Sequence, residues 1–256
     1  MLTAPTPVLV TPQALPLPPS PQRATGMSGE TPIPQTAVSG PDDVLVREYQ
    51  PLDDVRRVHW PSTARAGQLM VRREEQAWDP AAWLVLDSRS SSHGGARATS
   101  ASFEWLVTLA ASVGVRLIDD GYVVSITDVD STTHSSRGRE HLQPRQAWLE
   151  HLVDAVLTPQ VSLGPATRIL AQQQSGAVVL ALLGSLSVDD AAHLVETADA
   201  GRGRVILLER DDDSRAQADA RQILSAHGWA VATARPDSDP AAAWAALRAA
   251  SAVVDR

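Results

Sequence analysis

The sequence predicts an α/β domain built on a doubly wound, mainly parallel sheet, with a short β-rich segment ahead of it. Three observations carry that expectation. From residue 81 onward, short apolar runs alternate with longer stretches of helical periodicity. Those runs are continuously apolar rather than alternating, which is the pattern of strands covered on both faces. Hydrophobic residues make up 43% of the 256 residues, enough for a buried core of that size. Short turns between alternating strands and helices then imply a parallel sheet with helices on both sides.

Residues 1–41 hold ten of the eighteen prolines, in runs such as Pro16-Leu17-Pro18-Pro19. Proline fixes φ and lacks an amide donor, so this stretch reads as extended linker or disorder, with Val8-Leu9-Val10 as one short edge strand at most. Residues 42–80 change character. Val44-Leu45-Val46 and Leu69-Met70-Val71 read as short strands, and the sequence between them is dense in charged and aromatic groups. Residues 81–256 form the main domain. Ala82-Trp83-Leu84-Val85-Leu86-Asp87 is a buried strand that ends in a carboxylate. Over 99–120, Phe103, Leu106, Val107, Ala110, Val113 and Leu117 recur at helical spacing, with Thr99 or Ser100 as cap and Gly121 beyond the end. Tyr122–Ile126 is the next strand. A serine-rich polar loop over 129–140 leads to helices over 144–157 and 165–174. Then follow strand Ala177–Leu183, helix Val188–Ala200, strand Val205–Leu208, helix Ser214–Ala226, strand Ala230–Ala234 and helix Pro240–Val253.

Composition narrows the function classes. A formal net charge of −8 argues against a general nucleic-acid binder, which neutralises phosphates with a positive surface. The absence of cysteine excludes disulfides, thiolate nucleophiles and Cys-ligated zinc. No apolar run reaches the roughly 18–20 residues that span a bilayer, and the opening Met1–Val10 lacks the pattern of a signal peptide. A soluble, cytoplasmic chain is expected. All 22 basic residues are arginine, a bias that GC-rich codon usage produces.

Ligands of doubly wound sheets bind outside the carboxyl ends of the strands, where the strand order reverses. The loop that meets this description is Asp87-Ser88-Arg89-Ser90-Ser91-Ser92-His93-Gly94-Gly95, and it is either a ligand loop or a solvated turn without one. Three weaker candidates have plainer readings. Gly201-Arg202-Gly203 precedes a strand, whereas phosphate loops follow one, so it is a helix-to-strand turn. Asp211-Asp212-Asp213 suits the positive end of the following helix. Asp87, Ser90 and His93 are too close along one loop for a hydrolase triad.

A strand ending in Asp87 and followed by hydroxyl residues resembles the metal-ion-dependent adhesion motif of von Willebrand factor A domains, Asp-x-Ser-x-Ser, whose oxygens bind magnesium. Asp87 and Ser91 are kept. Arg89 stands at the middle hydroxyl position, and a guanidinium repels a cation rather than ligating it. The second carboxylate of that family belongs near Gly184-Ser185, where none stands. The site is therefore read as degenerate and metal-free, with Arg89 neutralising Asp87, and no cofactor is expected. The fold implied is von Willebrand A- or Rossmann-like.

The upstream segment carries a longer match. Arg47-Glu48-Tyr49-x-Pro51-x-Asp53-Asp54-x-Arg56-x-Val58-His59-Trp60, then Ser62-Thr63-Ala64-Arg65-x-Gly67-x-Leu69-x-Val71-Arg72, resembles the signature of the domain-of-unknown-function 58 family. That family places the signature just before a von Willebrand A-like domain. Leu52 departs from it, standing where the family usually has glycine. Family members usually begin with two membrane helices, which are not read here, so a truncated or a soluble form is expected. The resemblance implies a MoxR-type AAA+ ATPase as partner and a place at the inner face of the membrane.

The signature has two physical readings. In the structural one, bidentate pairs between its arginines and carboxylates lock the segment in place, with Tyr49 and Trp60 packed beneath. In the functional one, Arg56, Arg57, Arg65 and Arg72 form a site for an anion or an acidic partner. His59 beside Trp60 has no second catalytic group placed with it, so a structural histidine is the plainer reading. The candidate binding residues are thus Arg47, Asp54, Arg56, Arg57, His59, Trp60, Arg65, Asp87, Arg89 and Ser91, with no catalytic residue assigned. The function expected is a non-catalytic interaction module, an adaptor for the ATPase. The rival is an enzyme or binding protein for a phosphorylated or anionic ligand held by Arg56, Arg57 and Arg89.

Overall fold

The structure is a computed structural model that describes residues 9–20, 46–48, 58, 60–72, 80–94, 100–130, 133–136, 143–173, 176–209 and 215–254. The chain forms two compact units, one of residues 26–79 and one of residues 1–25 with 80–256.

In the smaller unit, β1 (Val46–Glu48) and β2 (Met70–Arg72) pair antiparallel, with Arg47 opposite Val71. Between them lies α1 (Trp60–Ala66), in the charged and aromatic stretch where the sequence predicts no element. Pro61 fits a first helical turn because its missing donor is not needed there. The helix ends at Gly67, whose φ of 69° is the left-handed conformation that glycine adopts without cost. The Gly67 amide donates to the Thr63 carbonyl, and Thr63 Oγ1 accepts from the Met70 amide at 3.0 Å.

The larger unit is an α/β domain, as the sequence predicts. Its chain order is β3 (Ala81–Leu86), α2 (Ala101–Asp119), β4 (Val123–Asp128), β5 (Thr133–Ser135), α3 (Pro144–His151), α4 (Gly164–Ala171), β6 (Val178–Leu183), α5 (Val188–Val195), β7 (Gly203–Leu208), α6 (Arg215–Ala226), β8 (Ala230–Ala234) and α7 (Pro240–Val254). The six strands lie in the order β5-β4-β3-β6-β7-β8. All pairings are parallel except that of β5 with β4. The order reverses between β3 and β6, which makes their carboxyl ends the switch point.

Alternate residues of each central strand serve opposite faces, as the pleat requires. Leu84 and Leu86 of β3, Leu180 and Leu182 of β6 and Ile206 and Leu208 of β7 pack with α2, α3 and α7. Val85, Val179, Ala181, Leu183, Val205 and Leu207 pack on the other side with α4, α5 and α6. Both faces are apolar, so the strands read as continuous runs. Helix α2 is the centre of the first layer. By length and composition it is the one described helix apolar enough to cross a membrane, which the expectation of no such run did not anticipate. Its apolarity here goes into the core, where Leu106, Leu109, Ala110 and Val113 are fully buried.

Several boundaries differ from expectation for physical reasons. Helix α3 stops at His151 rather than 157 because the Thr158 backbone turns away to pair with the loop after β3. Residues 133–135, expected in a polar loop, form the antiparallel edge strand β5, with Ser125 of β4 opposite Ser135. The proline-rich segment is corrected most. Residues 9–20 contain no strand, and they are not a free linker: Leu17 is part of the core and the Trp244 indole donates to the Pro18 carbonyl at 2.9 Å.

Close packing also depends on a missing side chain. A Cβ at Gly114 of α2 would overlap the buried indole of Trp148 on α3, whose Nε1 donates to the Ala110 carbonyl. Overpacking of this kind typically costs about 1–3 kcal/mol. Gly114→Ala is therefore expected to lower the unfolding free energy by about that amount, seen as a lower urea midpoint, despite alanine's better helix propensity, and an unchanged or higher midpoint would refute the close approach.

A buried charge cluster at the switch point

Asp87 lies one residue past β3, so its side chain projects at the point where strand order reverses. It is fully buried, at 0% exposure, and beside it Arg89 is 3% exposed. The loop then folds into a 3-10 turn over Ser90–His93 and ends at Gly94, which takes a left-handed φ of 87°.

The Arg89 guanidinium grips Asp87 in fork-to-fork geometry, Nε to Oδ1 at 2.8 Å and NH2 to Oδ2 at 2.8 Å. The Arg89 amide also donates to Oδ1 at 3.1 Å, which closes a turn around the carboxylate. NH1 donates to Asp190 Oδ2 at 2.7 Å, and NH2 donates to the Ser185 carbonyl at 2.8 Å. One cation thus bridges two buried carboxylates from different elements. The remaining carboxylate lone pairs are also used: Gly184 N–H donates to Asp87 Oδ2 at 3.1 Å, and Leu163 N–H donates to Asp190 Oδ1 at 2.9 Å. Ser162 Oγ makes a longer contact with the same oxygen.

Burial by itself lowers the Arg89 pKa. The hydrogen bond and charge of Asp87, then those of Asp190, outweigh it, and the guanidinium sits above the ordinary arginine value. A raised pKa contributes stability that is complete below the unfolded value and lost only as pH rises through the folded one. Both lie above the range in which proteins are handled, so Arg89 stays charged throughout.

Neighbouring backbone fixes the loop. Ser90 N–H donates to the Thr158 carbonyl at 2.9 Å and Thr158 N–H donates to the Ser88 carbonyl at 2.7 Å, a two-way clamp onto the chain after α3. His93 Nε2 lies 2.8 Å from the Asp87 carbonyl, which only a protonated Nε2 can satisfy. His93 Nδ1 faces Ser102 Oγ at 2.9 Å, at the start of α2. Gly184 passes so close that a Cβ there would sit 2.7 Å from both the Ser92 carbonyl oxygen and His93 Cε1. Beside these groups lies a recess of about 170 Å³, lined by His93, Ser102, Gly184, Leu208, Glu209 and Pro236 among others.

The sequence-predicted residues distribute as follows. Asp87 and Arg89 meet as an ion pair. Ser91 does not face them; it is exposed on the turn, and Ser92 points inward to accept a hydrogen bond from Ser185 Oγ at 3.0 Å. The 3-10 turn rotates the hydroxyls by one position relative to an extended Asp-x-Ser-x-Ser reading. Asp87, Ser90 and His93 form no relay, since the Asp87 carboxylate is committed to Arg89 and the His93 ring meets the backbone carbonyl of Asp87, not its carboxylate. Trp60 is 68% exposed, not packed beneath its segment, and Arg65 on α1 is exposed as well. Arg47 lies on β1. Asp54, Arg56, Arg57 and His59 lie outside the described residues, as does Asp211-Asp212-Asp213.

Sequence reasoning missed Asp190. The resemblance places a second carboxylate at the end of β6, near Gly184-Ser185, and the structure supplies it instead from the first turn of α5. The signal was available: Ser187-Val188-Asp189-Asp190 has the spacing of a capping box. Ser187 Oγ caps the helix by accepting from the Asp190 amide at 3.1 Å. That cap turns the Asp190 carboxylate back toward the sheet, where Arg89 lies.

The strand order, the single antiparallel edge and the strand-end aspartate at the switch point define a mostly parallel α/β domain of the Rossmann and von Willebrand A-like kind. The chain belongs to the family described as Protein of unknown function DUF58, whose model matches residues 45–217. The Uncharacterized protein YeaD of Bacillus subtilis (strain 168) is 27% identical over 201 residues, which is 76% of this chain and 46% of that protein. The chain thus spans about half the length of that curated relative.

Truncating one partner of a buried ion pair leaves the other charge uncompensated, typically at about 3–5 kcal/mol. Arg89→Met strands two carboxylates together and is expected to cost at least that much in chemical denaturation. Adding Asp190→Leu to Arg89→Met should recover part of the loss, and strict additivity of the two changes would rule out the bridge.

Proposed function

We propose that this chain is a non-catalytic protein-interaction module whose switch-point face and arginine-rich segment each contact a partner protein. The observation that carries the reading is the Arg89 cluster. In folds of this class the switch point is where a cation or nucleotide is held, and here a guanidinium fills it with its donors committed to Asp87, Asp190 and the Ser185 carbonyl. Such a cluster holds a surface in shape and supplies no group with a proton or electron pair to exchange.

The surrounding surface fits contact with protein. Val161 is 79% exposed one residue before Ser162, which reaches Asp190, and Val188 is exposed at the start of α5. Two apolar side chains flanking a rigid buried cluster suit a desolvated interface centre. The family resemblance supplies the partner: a MoxR-type AAA+ ATPase, with this chain as its adaptor in the cytoplasm at the inner face of the membrane. The rival reading, an anionic ligand held by Arg56, Arg57 and Arg89, loses one of its three cations to the internal cluster.

Capture of a purified MoxR-type AAA+ ATPase by the purified chain, with and without ATP, tests the proposal. Nucleotide-dependent capture is expected, weakened at least tenfold by Val161→Glu with Val188→Glu and, separately, by Arg56→Ala with Arg57→Ala. Absence of capture by a folded wild-type chain would defeat it.

A further inference from the structure

The proline-rich segment at residues 9–20 carries a periodicity that neither strand nor helix explains. Ala14, Leu17 and Ser20 are turned inward, and Leu17 and Ser20 are buried at 7% and 6% exposure. Gln13, Pro16 and Pro19 are exposed, and Leu15 and Pro18 lie between. A burial period of three is that of a left-handed polyproline II helix, which has three residues per turn and no internal hydrogen bonds. Its backbone groups must therefore be satisfied from outside.

The domain supplies that satisfaction from side chains of the layer containing α2 and α7. Ser112 Oγ, buried in the middle of α2, accepts from the Leu15 amide at 2.9 Å while donating to the Thr108 carbonyl. Trp244 of α7 donates its indole N–H to the Pro18 carbonyl at 2.9 Å. Asp120, held by Arg116 at 2.8 Å, accepts from the Ser20 amide at 2.8 Å. Tyr122 adds a side-chain hydrogen bond to Ser20.

We propose that the groove between α2 and α7 is a binding site for proline-rich segments in polyproline II conformation, filled here by residues 14–20 as an internal ligand. A partner's segment with a leucine between prolines enters it by displacing that ligand. Three features carry this. The contacts read two backbone amides, at Leu15 and Ser20, and the carbonyl between them at Pro18, which receives a tryptophan donor. A single deep side chain, Leu17, supplies selectivity. The segment is held by one buried leucine and isolated hydrogen bonds, with no strand pairing, so it is exchangeable without disturbing the sheet. The site is separate from the switch-point loop, and its test does not involve the ATPase.

The test uses the full chain and a fluorescent synthetic peptide of residues 9–20, read by anisotropy. In the wild type the tethered segment competes at an effective concentration on the order of millimolar, so the added peptide binds weakly. Leu17→Asp in the chain releases the internal ligand, and peptide binding is expected to tighten at least tenfold. A peptide carrying aspartate in place of Leu17 should not bind. Adding Trp244→Phe, which keeps an aromatic ring and removes the donor, should weaken binding about fivefold, the equivalent of one hydrogen bond. Should Leu17→Asp fail to fold, Leu15→Pro serves instead: it keeps polyproline geometry and Leu17 but removes the amide that Ser112 accepts, and a severalfold gain in peptide affinity is expected. No gain in either folded variant, or equal binding of the aspartate peptide, overturns the proposal. Concentration-dependent dimerisation without peptide capture also overturns it and assigns the groove to a second copy.

Discussion

The larger unit depends on one buried cation. Arg89 lies where two halves of a doubly wound sheet diverge, just past the Asp87 amide's bond to the Leu182 carbonyl that continues the β3–β6 pairing. The strand β3 delivers Asp87, the turn after β6 delivers the Gly184 amide and the Ser185 carbonyl, and the first turn of α5 delivers Asp190. The guanidinium joins all three. It has the planar, forked geometry to serve several acceptors at once, which a lysine does not. Two carboxylates at this spacing in a low-dielectric site would repel, so each depends on the cation and the cation on both.

Consequences spread from that cluster. Asp190 is turned inward because Ser187 caps α5, and it accepts from the Leu163 amide at the start of α4, so two helices on one face of the sheet are tied to the same charge. The loop carrying Arg89 is clamped to the chain around Thr158, which ends α3 early and brings Val156 to Ser162 across the switch-point side. His93 is fixed between the Asp87 carbonyl and Ser102, and its ring occupies the space that a Cβ at Gly184 would need. A surface held this tightly loses little conformational entropy on meeting a partner, which suits recognition.

Tryptophan does similar work away from the switch point. Trp105 donates to the Ser238 carbonyl, Trp148 to Ala110 and Trp244 to Pro18, so three indoles each bury a ring in the core and tie a carbonyl down. With one phenylalanine in the chain, large aromatic volume comes almost wholly from tryptophan. Each needs a partner for its N–H or a gap for its ring, and Gly114 provides such a gap for Trp148 and Gly203 for Trp229.

The sequence by itself determined the alternation of strands and helices, because continuous apolar runs and helical periodicity are local patterns that burial on both sheet faces imposes. It also placed Asp87 at a strand end and Arg89 beside it, two residues apart along the chain. The signals for α1, in the Pro61-to-Gly67 asymmetry, and for Asp190, in its spacing from Ser187, are short and local, and they stand apart from the apolar periodicity that marks the other elements. Tertiary structure alone decided the rest. That Asp190 reaches Arg89 across 101 positions depends on which strand follows which in the sheet. That Ser92 rather than Ser91 faces inward depends on a 3-10 turn set by the Thr158 clamp. That residues 14–20 pack as an ordered strap depends on Ser112, Asp120 and Trp244, which lie far along the chain. Proline content announces an extended backbone, but it carries no information about whether distant side chains will satisfy that backbone or leave it to water.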